Sequence, residues 1–462
     1  MIEGPAGTAV LDRPQSDPAP AADVGGSQKT VRRLWACVYV ALVLAPFALV
    51  LVAPRPPGRS FGVELGAALG FAALAVLVLQ VVLPSRARPF TAPFGVDVLL
   101  RFHRYVGMAS IWLVLAHLVV LLIDDPAKWA LLNPMVAPWR ARAGVSALVC
   151  LFLLGGTSMW RRWFKLSYET WRWVHIVLGA GLIGFSFAHM VGVNHYLSLG
   201  AIWVASVAML GIAGWGLSHL RLARPHGASR QPYVVTGVRR ERGEAHTVKL
   251  RAVGHGGHHF RPGQFAWIKL GETPFSLREH PFSYSSSAAS PECPEFTIKA
   301  LGNFTEGVGR LDLGTRIHVD GPHGSFSPAH PEGDYLLIAG GVGITPMMSI
   351  LRSFADTGDR RRFCLVYASR EWEDVTFREE LDGLKSRLPL TVHHILSRPH
   401  PAWPGHRGRL SEAVLRQCLQ QLTAPFNVFV CGSPRMVEDA ACRLRKVGVP
   451  DPWVHTEKFA GA

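Results

Sequence analysis

The sequence has few cysteines, and no pattern pairs them. Its seven cysteines are scattered over 462 residues, and two of them, Cys37 and Cys150, lie inside apolar runs. None forms a CxxC pair or shows the ligand spacing of a zinc site, so neither a disulfide framework nor a structural metal is indicated. The cysteines fit a chain whose soluble part lies in a reducing compartment.

Acidic residues are also scarce, since 33 Asp and Glu stand against 48 Lys and Arg and the net charge is +15. A nucleic-acid-binding protein gathers such charge into one basic patch or stripe, and this sequence has none. Orientation in a membrane and binding of an anionic cofactor explain the excess better. The sequence also lacks an EF-hand calcium loop, a candidate general base or nucleophile, and a clear protein-binding segment.

Apolar residues make up 49% of the chain and are concentrated before about residue 220. Crossing a bilayer takes about 20 apolar residues in a helix. Six segments are predicted to span: 34–53, 61–83, 98–123, 143–159, 171–192 and 198–218. Residues 1–30 are rich in Pro, Ala, Gly and Asp, and we expect them to form a disordered tail. The first span is too long for a signal-peptide core and should remain as an anchor.

Lys and Arg are unevenly distributed between the two ends of these spans. One face collects most of them, including Arg86, Arg172 and Arg224, and the other has few. Basic residues favour the cytoplasmic side. The distribution therefore predicts a protein of the cell (inner) membrane with both termini and the soluble half in the cytoplasm.

Two predicted spans each contain a pair of histidines separated by fourteen residues: His103 and His117, then His175 and His189. That spacing returns to nearly the same helix face about 21 Å further along. The two spans run in the same direction, so His103 is level with His175, and His117 with His189. Two facing imidazoles can supply both axial ligands of a haem iron. The set predicts two b-type haems in the transmembrane domain, residues 31–222.

Other roles remain open for these histidines. A single histidine in a membrane span is often a hydrogen-bonded packing group. Six spans with intramembrane histidines could also form a proton channel or transporter, with the soluble half as a nucleotide sensor. The equal spacing of the two pairs argues against both, because neither role requires rings at matched depths.

The hydrophobic pattern of the soluble half changes near residue 331. Short alternating runs with regular turns between 228 and 330 predict an antiparallel β-barrel. Apolar strands alternating with helices over residues 331–462 predict an α/β domain with a parallel sheet. The fold class is therefore a multidomain membrane protein: a six-helix bundle, then a barrel, then a nucleotide-binding α/β domain.

Four motifs in this half could carry chemistry. In LLIAGGVGITPMMSIL a strand leads through Gly340, Gly341 and Gly343 into a helix, whose N-terminus can bind phosphate. REHPFSYSS alone could be an ordinary strand, and KALGNFTEGVGRL alone a helix cap. In VFVCGSPRMV, Cys431 ends a strand, where a lone cysteine is more often a small core residue than a working thiol.

In their order, PGQF, HPFSYSS, GGVGITPMMSIL and VCGSPRMV resemble the flavin and nicotinamide modules of the ferredoxin–NADP reductase superfamily. With the preceding histidine-containing spans, the chain after residue 30 resembles the ferric reductase and NADPH oxidase family. The resemblance implies an FAD-binding barrel and an NADPH-binding α/β domain. It implies FAD contacts from His280, Pro281, Phe282, Ser283, Gly302, Asn303, Phe304 and Thr305.

The resemblance also implies a nicotinamide dinucleotide site. Its residues would be Gly340, Gly341, Gly343, Ile344, Thr345, Pro346, Cys431 and Gly432. Cys431 would lie near the nicotinamide, and Phe459, in the closing stretch WVHTEKF, would stack on the flavin as the second catalytic residue. Two departures from the family pattern are Cys-Gly-Ser-Pro in place of Cys-Gly-Pro, and three residues after Phe459.

The residues at the end of the second parallel strand, YASRE, are expected to determine whether NADPH or NADH is bound. Ser369 and Arg370 suit a 2′-phosphate, since guanidinium binds phosphate in a bidentate manner, and they favour NADPH. Glu371 would suit a ribose hydroxyl instead.

The family implies electron transfer from cytoplasmic NADPH through FAD and two haems to an acceptor on the outer face. Oxygen, giving superoxide, is our first expectation. A ferric chelate is the second, and a periplasmic protein or quinone the third. Besides the lipid bilayer we expect no nucleic acid and no obligate protein partner.

Overall fold

The computed structural model describes residues 24–52, 59–194, 200–271, 273–328 and 333–459. The predicted tail up to residue 23 and the three residues after Phe459 lie outside the described residues. Helix α1 includes residues 24 to 30, which the sequence analysis assigned to the disordered tail. The helical part of the chain therefore begins earlier than predicted.

Eight α-helices are described in the first half of the chain. They are α1 Val24–Val52, α2 Phe61–Val82, α3 Arg88–Phe94, α4 Val96–Asp124, α5 Trp139–Met159, α6 Tyr168–Val193, α7 Gly200–Ser218 and α8 Arg224–Arg230. Ser60 and Ser167 cap α2 and α6, because each side chain accepts a hydrogen bond from a backbone N–H in the first turn. A π-helical turn, His219–Ala223, joins α7 to α8.

Five of the described helical segments are long and apolar enough to cross a membrane: Phe61–Ser85, Val98–Asp124, Trp139–Met159, Tyr168–Val193 and Trp203–Arg230. They coincide with the second to sixth predicted spans. The predicted first span, 34–53, falls mostly on α1, which is not among the five. A six-span bundle therefore stays a prediction.

The membrane helices pack as two pairs, α2 with α4 and α5 with α6. The core between them contains Leu77 of α2, Ala147 and Leu151 of α5 and Leu182 of α6. Many other apolar side chains point outward, as expected for helices that face lipid rather than water. The two pairs form the frame in which the four predicted histidine ligands lie.

The first soluble domain is a six-stranded antiparallel sheet with the order β4-β3-β6-β1-β2-β5. Its strands are β1 Tyr233–Arg240, β2 Ala245–Ala252, β3 Phe265–Leu270, β4 Glu279–Ser283, β5 Glu295–Lys299 and β6 Arg316–His323. An isolated bridge between Tyr284 and Phe296 joins the two edges, so the sheet curls into a barrel. A four-residue helix, α9 Asn303–Glu306, follows β5.

The second soluble domain is a six-stranded parallel sheet with the order β10-β9-β8-β7-β11-β12. Its strands are β7 Asp334–Gly340, β8 Phe363–Ser369, β9 Leu390–Leu396, β10 His406–Arg407, β11 Phe426–Gly432 and β12 Val454–Lys458, and its helices are α10 Ile344–Asp356, α11 Arg378–Leu384, α12 Glu412–Leu419 and α13 Pro434–Lys446. A separate core cluster covers each face of the sheet. The predicted barrel and α/β domain are both confirmed.

The glycine-rich turn between β7 and α10 packs tightly against the end of β11. A Cβ atom added at Gly343 would lie 2.4 Å from the carbonyl oxygen of Cys431, which is closer than side chains approach backbone. Gly341 has a φ of +54°, in the left-handed region that glycine adopts most readily. Glycine at these positions is therefore required by local packing and backbone conformation.

We predict that Gly343→Ala lowers the stability of the nucleotide-binding domain by about 1–3 kcal/mol, because the added methyl group overpacks the β11–α10 contact. Thermal unfolding of the purified full chain measures this. Gly383→Ala in α11 is the matched control, since a Cβ there meets no atom within 4 Å. Equal melting temperatures for the two variants would contradict the packing argument.

Candidate functional site

The four histidines of the membrane half form two facing pairs between α4 and α6. The ring centres of His103 and His175 are 6.1 Å apart, and those of His117 and His189 are 6.4 Å apart. Two metal–nitrogen bonds of about 2 Å each, with the distance from each nitrogen to its ring centre, account for such a separation. Both pairs therefore lie at the predicted matched depths with room for one metal ion between their rings.

Each ring is oriented through its Nδ1 atom by the neighbouring helix of its pair. His103 Nδ1 lies 3.0 Å from the carbonyl oxygen of Gln80, and His117 Nδ1 lies 2.7 Å from that of Gly66. His189 Nδ1 lies 2.8 Å from the carbonyl oxygen of Arg140. A carbonyl can only accept, so Nδ1 donates its proton and Nε2 keeps a free lone pair for a metal.

His175 is oriented by a hydroxyl group instead. The Ser158 Oγ atom donates to the Leu154 carbonyl at 2.7 Å and lies 3.3 Å from His175 Nδ1. Because the hydroxyl proton goes to Leu154, Ser158 is available to accept from His175. All four imidazoles therefore have an Nδ1 partner that is compatible with metal binding at Nε2.

The helices that pack against α4 and α6 leave both an acceptor and space for these rings. Pro84 lies four residues after Gln80 and has no N–H, so the helix does not supply the usual donor to the Gln80 carbonyl group, which is left to accept from His103. A Cβ added at Gly70 would lie 2.9 Å from His117 Nδ1, and one added at Gly144 would lie 2.8 Å from His189 Nδ1. The two glycines thus form cradles that a side chain would fill.

A cavity of about 430 Å³ surrounds the His117–His189 pair, between α2, α4, α5 and α6. Its walls are mostly apolar, and they include His117, His189 and two basic residues, Lys128 and Arg140. Two imidazole rings within an apolar slot, with cations at its edge, fit a planar amphiphilic group with acidic substituents. The residues present fit a haem.

A line of aromatic contacts connects the His103–His175 pair to the predicted flavin motif. On α6, the ring centre of Trp171 lies 5.2 Å from His175 and 5.7 Å from Tyr168. Tyr168 lies 5.8 Å from His280, whose ring is 4.3 Å from Phe304. The motif HPFS therefore lies beside the first turn of α6, close to the His103–His175 pair.

The predicted flavin residues have the chemistry of a ligand site. His280, Phe282 and Phe304 are half-buried, with the rings of Phe282 and Phe304 stacked at 6.1 Å, while Pro281 is exposed. Ser283 Oγ is buried and has no hydrogen-bond partner among the residues that the structure describes. Aromatic faces beside an unsatisfied hydroxyl fit the isoalloxazine and ribityl parts of FAD.

Gly302 and Thr305 have a structural explanation. Thr305 Oγ1 accepts from the backbone N–H groups of Leu301 and Gly302, at 2.8 and 3.0 Å. The helix-cap alternative considered from the sequence therefore accounts for Thr305, while contact of this turn with the FAD pyrophosphate stays a prediction. The side chain of Asn303 lies outside the described residues.

A buried ion cluster joins the membrane half to the barrel; we call it the interface cluster. Glu279, in β4 immediately before His280, binds Arg86 at 2.5 Å and Arg172 at 2.6 Å. Asp320, in β6, binds Arg86 at 3.0 Å and also pairs with Arg224. The three arginines come from the α2–α3 connection, α6 and α8, so the cluster holds three membrane segments against one barrel.

The cluster controls the charge state of its acids. Burial would raise the pKa of Glu279, but Arg86 and Arg172 lower that pKa to about 2. Burial would also raise the pKa of Asp320. The pKa is nevertheless lowered, because the contacts with His323, Arg224 and Arg86 outweigh the effect of burial. The stability contributed by Glu279 is therefore present above the ordinary pKa of a glutamate and is lost as pH falls toward about 2.

Arg86 adopts a conformation that is uncommon for a residue with a side chain. Its φ is +57°, just after the short 3-10 helix Leu83–Ser85 that ends α2. Such backbone conformations cost of order 1–3 kcal/mol and persist where surrounding contacts enforce them. Here the guanidinium contacts both acids and stacks 3.8 Å from the ring centre of Trp267. The chain thus accepts local strain to place this arginine in the interface.

The predicted nucleotide residues converge at one edge of the parallel sheet. The backbone N–H of Phe459 donates to the Gly432 carbonyl at 2.9 Å, and Gly432 and Gly340 both pack on Met436. Ile344, Thr345 and Pro346 bury their side chains in α10. Their contribution to a pyrophosphate site would therefore come from backbone N–H groups at the start of that helix.

Cys431 is fully buried in the core of the sheet. Burial, together with Glu457, raises the pKa of its thiol well above the ordinary value. A thiolate reaction at Cys431 has no support in this environment, and its packing matches the alternative of a small core residue. Phe459 is half-buried against the same core. Their predicted places beside nicotinamide and flavin stay predictions.

Ser369 and Arg370 lie at the end of β8, at the same edge of the sheet. Arg370 and the neighbouring Glu371 are exposed, and Ser369 is half-buried. Both an Arg–phosphate contact and a Glu–ribose contact are sterically open. The geometry does not separate NADPH from NADH.

Comparisons with known proteins agree with this arrangement. Residues 69–186 match the family described as ferric reductase like transmembrane component, and residues 337–442 match the oxidoreductase NAD-binding domain. The chain is 32% identical over 214 residues to ferredoxin–NADP reductase B of Sorangium cellulosum, a region covering 43% of this chain and 85% of that protein.

Other relatives match over a smaller part of their length. The glycine betaine monooxygenase reductase subunit of Chromohalobacter salexigens is 30% identical over 208 residues, and the chain spans 56% of its length. Among solved structures, a ferredoxin reductase in carbazole 1,9a-dioxygenase is 25% identical, covers 50% of this chain and 69% of its own, and has a TM-score of 0.44.

The class defined by the fold and these matches is an NAD(P)H-dependent flavoprotein oxidoreductase integral to a membrane. In this chain a ferric-reductase-type transmembrane component is joined to a reductase module related to ferredoxin–NADP reductases, which matches a fusion of the ferric reductase and NADPH oxidase type. This combination indicates transmembrane electron transfer.

We predict that Glu279→Gln weakens attachment of the barrel to the membrane helices by about 3–5 kcal/mol, because Arg172 and the buried Lys269 lose their counter-charge and Arg86 keeps only Asp320. Hydrogen exchange of the purified full chain should increase at residues 83–88 and at the start of α6. Glu292→Gln, at an exposed position of the same barrel, is the control. Unchanged exchange in Glu279→Gln would show that the interface cluster does not hold the two halves together.

Proposed function

We propose that the chain transfers electrons from NAD(P)H on the cytoplasmic side, through FAD and two b-type haems, to an acceptor on the outer face of the cell membrane. His103 and His175 would hold the inner haem, and His117 and His189 the outer one. When bound, FAD accepts a hydride and releases electrons singly, and haem iron carries one electron at a time. The protein's part is to fix the positions and surroundings of these groups.

The observation that carries this proposal is the way in which the four histidines are paired and hydrogen-bonded. Each pair has rings about 6 Å apart, and each Nδ1 faces an acceptor on the adjacent helix. Packing histidines need no common tautomer, and a proton path needs no matched pairs. Four rings whose Nδ1 atoms all face an acceptor keep Nε2 free for a metal, which is what ligation of an iron by two imidazoles requires.

The orientation proposed for the membrane is supported by charge. Arg86, Arg172 and Arg224, which the interface cluster uses, all belong to the basic face predicted to be cytoplasmic. The reductase module would then share the cytoplasm with its nucleotide substrate. With α1 as a sixth span, both termini would also lie on that side.

The acceptor is proposed as molecular oxygen first, with a ferric chelate as the alternative and a periplasmic protein or quinone third. The outer cavity exposes Lys128 and Arg140 beside the outer histidine pair. These cations suit anionic haem substituents, superoxide and an anionic chelate alike. The first choice therefore depends on the resemblance to oxidases that carry both nucleotide modules in one chain. NADPH is likewise proposed in preference to NADH, because Ser369 and Arg370 suit a 2′-phosphate.

We predict that the purified chain shows two b-type haems by absorbance, and that NADPH reduces them under anaerobic conditions. His117→Ala and His189→Ala should each remove the outer signal, while His103→Ala and His175→Ala remove the inner one. His219→Ala is the control, because His219 stacks on Trp215 rather than facing a partner histidine. Absence of haem bands from the unchanged protein would end the electron-transfer proposal.

We predict that superoxide forms with NADPH and oxygen after rigorous removal of iron chelates, because the outer haem site would pass electrons directly to oxygen. Superoxide-dependent dye reduction, with superoxide dismutase as the control, measures it. Activity that appears only when ferric chelate is added would reject oxygen as the acceptor and favour the ferric reductase alternative.

A further inference from the structure

The parallel sheet brings together three residues that the sequence keeps far apart: Cys364, His393 and Cys418. In the strand register, Val366 of β8 is paired with His393 of β9. Cys364 lies two residues before Val366, so Cys364 and His393 share one face of the sheet. Helix α12 packs on that face and contributes Cys418 to the same core cluster.

One ligand atom from each of these residues lies within 4.8 Å of the others. Both thiols are buried, with the cysteines at most 1% exposed, and His393 is half-buried. His393 Nε2 is itself buried and has no hydrogen-bond partner among the described residues. A buried, unsatisfied imidazole nitrogen costs stability unless something compensates it.

The two thiols respond to this contact in opposite directions. Interaction with Cys364, and then with His393, lowers the pKa of Cys418 despite burial, whereas interaction with Cys418 and burial raise the pKa of Cys364. Thiolate is the form of cysteine that binds metals, and two sulfurs with one imidazole nitrogen are ligands that zinc prefers.

We propose that Cys364, His393 and Cys418 bind a soft divalent cation of the zinc class. Tetrahedral coordination requires a fourth ligand. His406 of β10 is paired with Ile395, two residues after His393, so it lies on the same face, and its ring centre is 5.7 Å from that of His393. The site would connect β8, β9 and α12, and His406 would extend it to the edge strand.

This site is separate from the nucleotide site. Cys431 belongs to the core cluster on the opposite face of the sheet from Cys364 and Cys418. The proposed ion would therefore have a structural role in the reductase module, independent of whether the membrane half binds haem. It was not foreseeable from cysteine spacing, because its ligands come from two strands and a helix that are brought together only by folding.

The test uses the full chain in detergent, reduced and freed of metal by a chelator. Titration with Co²⁺ should produce intense thiolate-to-metal absorbance that saturates at one ion per chain, and Zn²⁺ should displace it. Cys418→Ser and His393→Gln should abolish this band. Cys442→Ser and His394→Gln are the matched controls, since Cys442 is exposed and His394 lies on the other face of β9.

A second measurement uses the unchanged protein, in case the variants misfold. Bound Zn²⁺ should protect Cys364 and Cys418 from alkylation during partial unfolding and raise the melting temperature of the reductase module. Three results would each overturn the proposal. These are no thiolate band with Co²⁺, equal metal binding by Cys418→Ser and Cys442→Ser, or a Cys364–Cys418 disulfide in the purified protein.

Discussion

The buried pairing of Glu279 and Asp320 with three arginines is the contact on which the rest of the structure depends. It fixes the barrel against the α2–α3 connection, α6 and α8, and Glu279 stands next to His280 in the chain. Removing one partner from a buried ion pair leaves an uncompensated charge, which is far more costly than the pair's net stabilisation. Such a contact therefore defines one docking position for the flavin motif more than it adds stability.

Beyond this contact, the membrane half repeats one arrangement of histidines in two pairs of helices. Helix α4 turns two histidines toward α6 and anchors them on α2, while α6 turns two histidines toward α4 and anchors them on α5. A missing N–H at Pro84 and small residues at Gly70 and Gly144 allow these anchors. Three of the four rings are thus oriented by backbone carbonyl groups, which cannot change rotamer, and His175 is oriented by the Ser158 hydroxyl group.

Periodicity and spacing predicted much of this fold. The histidine pairs, five of the spans, the barrel strands and the parallel strands all follow from local patterns that the chain itself carries. The interface cluster does not, since Arg86, Arg172 and Arg224 were predicted only as basic residues near span ends. Their partners lie 96 to 234 positions away, and so do not follow from local pattern. The Cys364–His393–Cys418 cluster could not be predicted for the same reason, and the full burial of Cys431 follows from the sheet rather than from its local sequence.

The central claim is that electrons cross the bilayer along this chain, and sealed vesicles test it most directly. Purified protein would be reconstituted with haem and FAD into vesicles that contain a trapped, impermeant oxidant such as ferricyanide, and NADPH would be added outside. We predict that the trapped oxidant is reduced, and that His117→Ala abolishes this reduction while FAD is still reduced by NADPH. Reduction only of oxidant added on the same side as NADPH would contradict the account.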